Sequence, residues 1–335
     1  MIKEAIAMVV QGHDLSADDM ARVMDEVMSG EATPAQIGGL LTALHMKGES
    51  PAEIAGAART MRAKATKVPV NGDGLVDTCG TGGDGKRTFN ISTTVAFVVA
   101  GAGVRVAKHG NRAVSSGCGS ADVLEAVGVR IDLAPERVAA CIDEAGIGFL
   151  FAPLFHTAMR HAVGPRRELG FRTIFNVLGP LANPAGASRQ VLGVYAPELT
   201  RTIGRVLLDL GTEHSLVVHG AGGADELTLA GPNLVCECRG GELREYTLRP
   251  SDVGLREAPL SALAGGDARE NGEIMLRVLR GEEGPRREAV LLNAAAALVA
   301  AGRARDLAEG VSLAAESIDR GAALAALERL RRVAA

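Results

Sequence analysis

The stretch Asp77-Thr-Cys-Gly-Thr-Gly-Gly-Asp-Gly-Lys-Arg-Thr-Phe-Asn-Ile-Ser-Thr-Thr94 limits the architecture more than any other part of the chain. Gly80, Gly82, Gly83 and Gly85 fall within six positions, directly behind the short apolar strand signal Gly74-Leu-Val-Asp77. An apolar run over 95–100 follows and reads as the body of a helix. Strand, glycine loop and helix start form an arrangement that suits phosphate. Glycine admits the anion to the backbone, successive N–H groups make a concave nest, and the helix N-terminus adds partial positive charge. No Lys-Ser/Thr stands where a P-loop needs it, and the spacing is not GxGxxG. An ordinary glycine-rich turn is the plain alternative for this loop alone.

A second strand-to-loop unit follows. Gly103-Val-Arg-Val-Ala107 reads as a strand, and Lys108-His-Gly-Asn-Arg-Ala-Val-Ser-Ser-Gly117 as the loop after it, with Ser120 and Asp122 heading the next apolar run. Lys108 and Arg112 bring charge and directed donors for phosphate oxygens, and Asn111 can donate and accept. Two successive strand ends carrying donor-rich loops point to one ligand, because open α/β sheets bind at strand carboxyl ends.

The third element is the pair Asp225-Glu226, in a glycine-rich loop after the strand signal Ser215-Leu-Val-Val-His219. Adjacent carboxylates beside a phosphate site suit Mg²⁺, a hard cation that joins protein carboxylates to substrate phosphates. The three elements together predict a polyphosphate bound with metal.

Composition narrows the rest. At 335 residues with 47% apolar content, the chain suits two domains with a substantial core. A net charge of −4 and 3% aromatic residues give no case for nucleic acid or a membrane surface. No basic-then-apolar leader is visible, and the apolar stretch 294–301 is too short to span a bilayer. Five scattered cysteines predict reduced thiols in a cytoplasmic protein rather than a disulfide framework. Cys236 and Cys238, two apart on an expected strand, point the same way without a second ligand pair.

The N-terminal part reads as helical. Ser16 opens one helix, and Thr33-Pro-Ala-Gln36 and Ser50-Pro-Ala-Glu53 each supply a cap hydroxyl, a first-turn proline and a Gln or Glu at the third position. Met20, Val23, Met24 and Val27 recur at helical spacing and predict core. The segment 68–74 breaks the pattern and reads as a hinge. Beyond it, strands near 148–151, 190–195 and 215–219 alternate with helices such as 197–210, as a mainly parallel sheet requires. Residues 233–238 and 242–247 read as a hairpin, and helices dominate from 270 onward. The expected class is α/β, with a small all-helical N-terminal domain (1–70) before a larger α/β domain (71–335) with a mainly parallel central sheet and C-terminal helices.

Gly80-Thr-Gly-Gly-Asp84, Asn90-Ile-Ser-Thr93, Lys108-His-Gly-Asn-Arg112, Ser115-Ser116 with Gly119-Ser-Ala-Asp122, Arg172-Thr-Ile-Phe-Asn-Val-Leu-Gly-Pro-Leu-Ala-Asn-Pro184 and Asp225-Glu226 resemble, in order, the anthranilate phosphoribosyltransferase family. The resemblance runs over essentially the whole chain. It implies a fold of the nucleoside phosphorylase/phosphoribosyltransferase type, with the helical domain completed by about 166–184 and the active site in the interdomain cleft. It implies a homodimer joined through the helical domains. The implied reaction moves the phosphoribosyl group of 5-phosphoribosyl 1-diphosphate (PRPP) to the amine of anthranilate and releases pyrophosphate, the second step towards tryptophan from chorismate.

Carried onto this sequence, the resemblance assigns PRPP to Gly80, Gly83, Asp84, Thr88, Asn90, Ile91, Ser92, Thr93, Lys108, His109, Gly110, Asn111, Arg112, Ala113, Val114, Ser115, Ser116 and Ser120. Within that set Asp84 orients loop amides and Asn90 is the ribose partner. Gly80, Asn111 and Arg166 would meet anthranilate, with Arg167 a rival for its carboxylate. Two Mg²⁺ ions are implied, one on Ser92 and one on Asp225 and Glu226. No dedicated acid or base is required, because an aryl amine is uncharged at neutral pH. His109 and His156 stay open between binding and packing. Two other readings stay in view: phosphorolysis of pyrimidine nucleosides on the same broad fold, and a silent relative that binds nucleic acid.

Overall fold

The computed structural model describes residues 1–71, 73–113 and 117–335. Its N-terminal quarter is α1 (Ile2–Val10), α2 (Ala17–Ser29), α3 (Pro34–Lys47) and α4 (Pro51–Lys64). The expected caps are present. Ser16 Oγ accepts from Asp19 N, while Thr33 with Gln36 and Ser50 with Glu53 close reciprocal capping boxes. Each such cap stabilises its helix by about 1 kcal/mol. Glu53 does more than cap. Its fully buried carboxylate also accepts from Leu15 N at 3.0 Å and Lys47 Nζ at 2.9 Å, tying the α1–α2 loop and the end of α3 to α4.

The remainder alternates strand and helix: β1 (Val76–Gly80), α5 (Ile91–Gly101), β2 (Val106–Gly110), α6 (Ser120–Ala126), α7 (Pro135–Ala145) and β3 (Ile147–Phe151). The single turn α8 (Ala152–Phe155) leads to α9 (Arg160–Leu169) and the single turn α10 (Phe175–Leu178). Then come β4 (Arg189–Gly193), α11 (Leu199–Asp209), β5 (His214–His219) and the hairpin β6 (Asn233–Arg239) and β7 (Glu242–Leu248). The chain closes with α12 (Ala268–Leu279), α13 (Pro285–Ala300), α14 (Leu307–Asp319) and α15 (Ala322–Ala334).

The sheet runs β3-β2-β1-β4-β5-β6-β7, parallel from β3 through β5 and antiparallel in the final hairpin. The strand order reverses direction between β1 and β4, and a crevice opens at that switch point beyond their carboxyl ends. Side-chain alternation divides the apolar core. Val76, Val191, Leu216 and Val218 lie on the side of α5 and α13, whereas Cys79, Leu192, Val217, Cys236 and Cys238 belong to the core shared with α11 and the N-terminal helices.

Two strands run further than the sequence reading placed them. β1 continues through Thr78, Cys79 and Gly80, which pair with Val191, Leu192 and Gly193. β2 includes Lys108, His109 and Gly110, which pair with Phe149, Leu150 and Phe151, so these three are strand residues and not loop. Helix α5 begins at Ile91, four residues before the apolar run.

Residues 160–182 return to the N-terminal helices. α9 packs on α2 and α3, α10 packs on α4, and Ile174, Phe175, Val177, Leu178 and Leu181 join Met20, Met24, Ile37 and Leu41 in one apolar core. Polar stitches hold this segment to the sheet and to α4. Asn183 Nδ2 donates to Asp77 Oδ2 and Ala107 O, both at 2.8 Å, Gln190 Nε2 donates to Pro180 O at 2.7 Å, and Arg62 Nε donates to Leu181 O at 2.6 Å.

Candidate active site

The floor of the crevice is built by close approach. At Gly193 a side chain would collide with the carbonyl of Asp225, and at Gly80 with its carboxylate. Glycine at the ends of β1 and β4 therefore lets the acidic turn after β5 sit directly on the strand ends. There Asp225 Oδ2 accepts from Gly82 N at 2.7 Å, and Glu226 Oε1 accepts from Ser92 N at 3.1 Å. Asn293 fixes the same turn from below, accepting from Leu227 N at 3.0 Å and donating to Leu227 O at 2.8 Å. The glycine loop takes left-handed backbone at Gly82, Gly83 and Gly85, with φ of 66°, 76° and 71°. Asp84 closes it by accepting from Lys86 N at 3.0 Å and Asp225 N at 3.2 Å.

The electrostatics of this floor are unbalanced. Burial raises the Asp225 pKa well above the carboxylate range, and repulsion from Glu226 and Asp84 adds to it. Burial also pushes Glu226 up to about 7, against the attraction of Lys108. Lys108 itself is 2% exposed and donates to Thr78 O at 2.5 Å, with Ser92 Oγ at 3.5 Å. Burial lowers its pKa and raises that of Asp77, opposed in each case by their mutual attraction. Crowded carboxylates with only oxygen donors nearby fit a hard divalent cation. Among the described residues, no three His, Cys, Asp or Glu side chains converge to hold a metal alone. Phosphate oxygens of a substrate complete such a shell, as is common for Mg²⁺.

Above the floor lies a cavity of about 290 Å³. It gathers Gly80, Gly83, Ser92, Lys108, His109, Gly110, Asn111, Arg112, Ala113, Ser120 and Arg166 from the residues expected at the site. Asp84, Thr88, Asn90, Ile91, Thr93, Asp225 and Glu226 do not line it. Ile91 and Thr93 are fully buried helix residues whose side chains belong to the interior. Thr88 bridges Ala264, which pins the end of the glycine loop to the segment before α12. Val114, Ser115 and Ser116, also expected to hold phosphate, lie outside the described residues.

Three side chains stand differently from expectation. Asn90, expected on ribose, donates to Cys118 O at 3.2 Å and accepts from Asn271 Nδ2 at 3.0 Å, so it braces α5 against two other segments. Arg112 pairs with both oxygens of Glu125 and with Asp122, so its guanidinium already faces carboxylates. The His109 ring meets Gly179 O at 3.1 Å, and burial drives its pKa down to about 3, so it shapes the wall as a neutral group and carries no charge to a phosphate. His156 lies 5.0 Å from it, ring to ring, and is likewise held down to about 4 by burial.

Arg166 extends from α9 over the Phe175 ring at 5.1 Å, and no carboxylate among the described residues pairs with it. Arg167 is exposed and does not line the cavity. Sequence reasoning missed Asp77, Asn183, Asn271 and Asn293 as organisers of the site. Asp77, Asn183 and Asn293 carried a visible signal, a polar residue inside or beside an apolar run, whereas Asn271, within Arg269-Glu-Asn-Gly-Glu273, carried none.

Residues 3–65 match the helical bundle domain of a glycosyl transferase family, and residues 72–324 match its a/b domain. The chain is 58% identical over 330 residues to the anthranilate phosphoribosyltransferase of Pelotomaculum thermopropionicum, covering 98% of this chain and 96% of that one. It is 60% identical over 333 residues to that of a Roseiflexus species, covering 98% and 97%. Among solved structures, the enzyme from Thermus thermophilus superposes with a TM-score of 0.94 at 49% identity, covering 98% of this chain and 99% of that one. The Saccharomyces cerevisiae enzyme in complex with PRPP and Mg superposes at 0.90 and 29% identity, covering 99% and 97%. With both domains matched and relatives aligned end to end, the chain belongs to the anthranilate phosphoribosyltransferase family.

Proposed function

We propose that the crevice between the sheet and the returning segment is where this chain transfers the phosphoribosyl group of PRPP to the amine of anthranilate. Pyrophosphate leaves, and the product is N-(5-phosphoribosyl)anthranilate, the second step of tryptophan biosynthesis from chorismate. One observation carries the placement. The glycine loop and Arg166, which has no carboxylate partner among the described residues, line one cavity at the switch point of the sheet, and the crowded acidic turn lies directly beneath that loop, bonded to Gly82 N.

Opening the bond at ribose C1 leaves oxocarbenium character on the sugar and negative charge on the departing pyrophosphate. Preorganised donors aimed at that charge are the main lever. The backbone of Gly80 to Gly83, the N-terminus of α5 and the Lys108 ammonium face it. Asn111, Ala113 and Ser120 hold the outer phosphates, as do Val114, Ser115 and Ser116. Magnesium, once bound, offsets charge on the diphosphate and bridges it to the protein. Two ions are proposed, one on Ser92 Oγ and one on Asp225 and Glu226. Arg166 takes the anthranilate carboxylate, its planar fork matching both oxygens, with Gly80 and Asn111 beside it. The amine brings its own lone pair, so positioning replaces a general base.

The helical unit of residues 1–70 with 166–184 is proposed to move as one body against the rest of 71–335, hinged near 68–74. Exposed Met8, Val10 and Met46, the last 81% exposed, support pairing of two copies through that unit. A cytoplasmic location accords with cysteines that form no disulfide. No helix among the described residues is long and apolar enough to cross a membrane. Loss of anthranilate fluorescence on mixing with PRPP and Mg²⁺ tests the reaction. Unchanged fluorescence with folded protein sinks it.

A further inference from the structure

Arg172 is absorbed by none of the roles above. It lies on the strap between α9 and α10, on the returning side of the crevice, and is exposed. Its guanidinium stacks over the Tyr195 ring at 4.1 Å, just past the end of β4. Tyr195 is itself stitched to the glycine loop, its N–H donating to Thr81 Oγ1 at 3.1 Å. A side chain added at Gly83 would meet Arg172 Nε at 4.0 Å, so the arginine already reaches across to the middle of that loop. Among the described residues no carboxylate pairs with it, unlike Arg112. The strap is anchored on its other side, where Phe171 packs on the His45 ring of α3 at 4.7 Å.

We propose that Arg172 is a phosphate-binding residue that leaves the face of Tyr195 and closes on the pyrophosphate moiety held in the glycine loop. The inference rests on the proposed placement of PRPP and adds a cation to the leaving group from the opposite wall. The chemistry favours the exchange. A cation–π contact at a half-buried ring is still weaker than a bidentate, charge-assisted bond to phosphate oxygens, so the arriving polyanion outcompetes the tyrosine. The short reach means that no backbone need move for the first contact. Since the strap belongs to the helical side, the bond also draws the two walls together around the sugar. Tyr195 keeps the guanidinium extended and aimed at the loop until then.

Titration of the full chain with pyrophosphate and Mg²⁺ by calorimetry, beside steady-state kinetics, tests this. Arg172→Gln should weaken pyrophosphate binding and raise the KM for PRPP by about tenfold or more, while the KM for anthranilate moves less than twofold. Arg172→Lys should recover part of the loss, because it keeps the charge and loses the fork. Wild-type affinity for pyrophosphate in Arg172→Gln overturns the inference and leaves the proposed reaction standing. Failure of the wild-type chain to bind pyrophosphate with Mg²⁺ overturns the placement of the substrate and this inference with it. If Arg172→Gln does not fold, the lysine variant decides: equal losses for both substrates mean a structural role and overturn the proposal, whereas a loss confined to PRPP and pyrophosphate supports it.

Discussion

The two walls of the crevice solve opposite problems. On the sheet side, burial raises the pKa of Asp225 and Glu226, the nearby Asp84 charge adds to both, and the turn that holds the pair is fixed by Asn293 and by glycines at two strand ends. On the returning side, Arg166 and Arg172 rest on aromatic rings with no carboxylate partner among the described residues, and the neighbouring histidines are kept neutral. Neither wall is electrostatically complete. The acidic wall needs a cation and the basic wall needs anions, so a magnesium polyphosphate and a carboxylate together satisfy both. Specificity here comes from charge left uncompensated on purpose in two places and brought together by ligands.

The sharpest way to break this contrast is to neutralise the acidic wall. Asp225→Asn with Glu226→Gln should lower kcat/KM by about a hundredfold or more, while the melting temperature holds or rises because two crowded carboxylates are gone. Chelation of the wild-type enzyme should abolish turnover, and Mg²⁺ should restore it. Full activity of the double variant in metal-free buffer removes the cation from the acidic wall.

On the basic wall, Arg166→Ala should weaken anthranilate use by about thirtyfold, corresponding to about 2 kcal/mol for a charge-assisted contact in a half-buried site. Arg167→Ala is the control and should change little. A reversed ranking of the two variants in KM for anthranilate assigns the carboxylate to the wrong arginine.

Neutral histidines behind the basic wall make stability depend on pH. Their folded pKa values, about 3 for His109 and about 4 for His156, lie below the unfolded value. Lys108 presses on His109 and Lys67 on His156 in the same direction. The unfolded chain therefore binds more protons below pH 6.5, and stability falls as pH drops from there towards 4. At pH 5 the loss is about 2 kcal/mol for each ring. Urea unfolding at pH 7.5 and pH 5, with His156→Gln as comparison, measures it. A wild-type slope unchanged by that substitution shows that the ring does not titrate as described.

The smallest expected signal is motion. PRPP with Mg²⁺ should slow amide exchange over 80–89 and at the strap, whereas anthranilate alone should do much less, because it lacks the charge to gather donors from both walls. Equal protection by anthranilate alone removes the polyphosphate as the cause of closure.

The glycine loop, the acidic pair and the capped N-terminal helices were legible because their signals are local: residue type at short spacing decides each. The ends of β1 and β2 were not. Thr78, Lys108 and His109 look like loop in a one-dimensional reading, since polar side chains interrupt the apolar run. What makes them strand is ladder pairing with β4 and β3, residues about 40 to 115 positions away. The same holds for side-chain roles. Asn90 and Arg112 carry the right chemistry for a ligand, yet Asn271 and Glu125 reach them first. Which donors are left over for a substrate is decided by distant partners, and spacing along the chain does not encode that.

The fit of the acidic turn against two bare strand ends also bears on how such a protein can be altered. At Gly193 there is no room for even a methyl group before the Asp225 backbone, and Gly80 is confined on the same side. The three segments therefore change together or not at all. Chimeras cut between β4 and the turn after β5 would pair a strand end from one parent with a turn shaped for another, and a slip of one residue there would displace both carboxylates. Surface connections can vary far more freely, while this junction tolerates exchange only as a block.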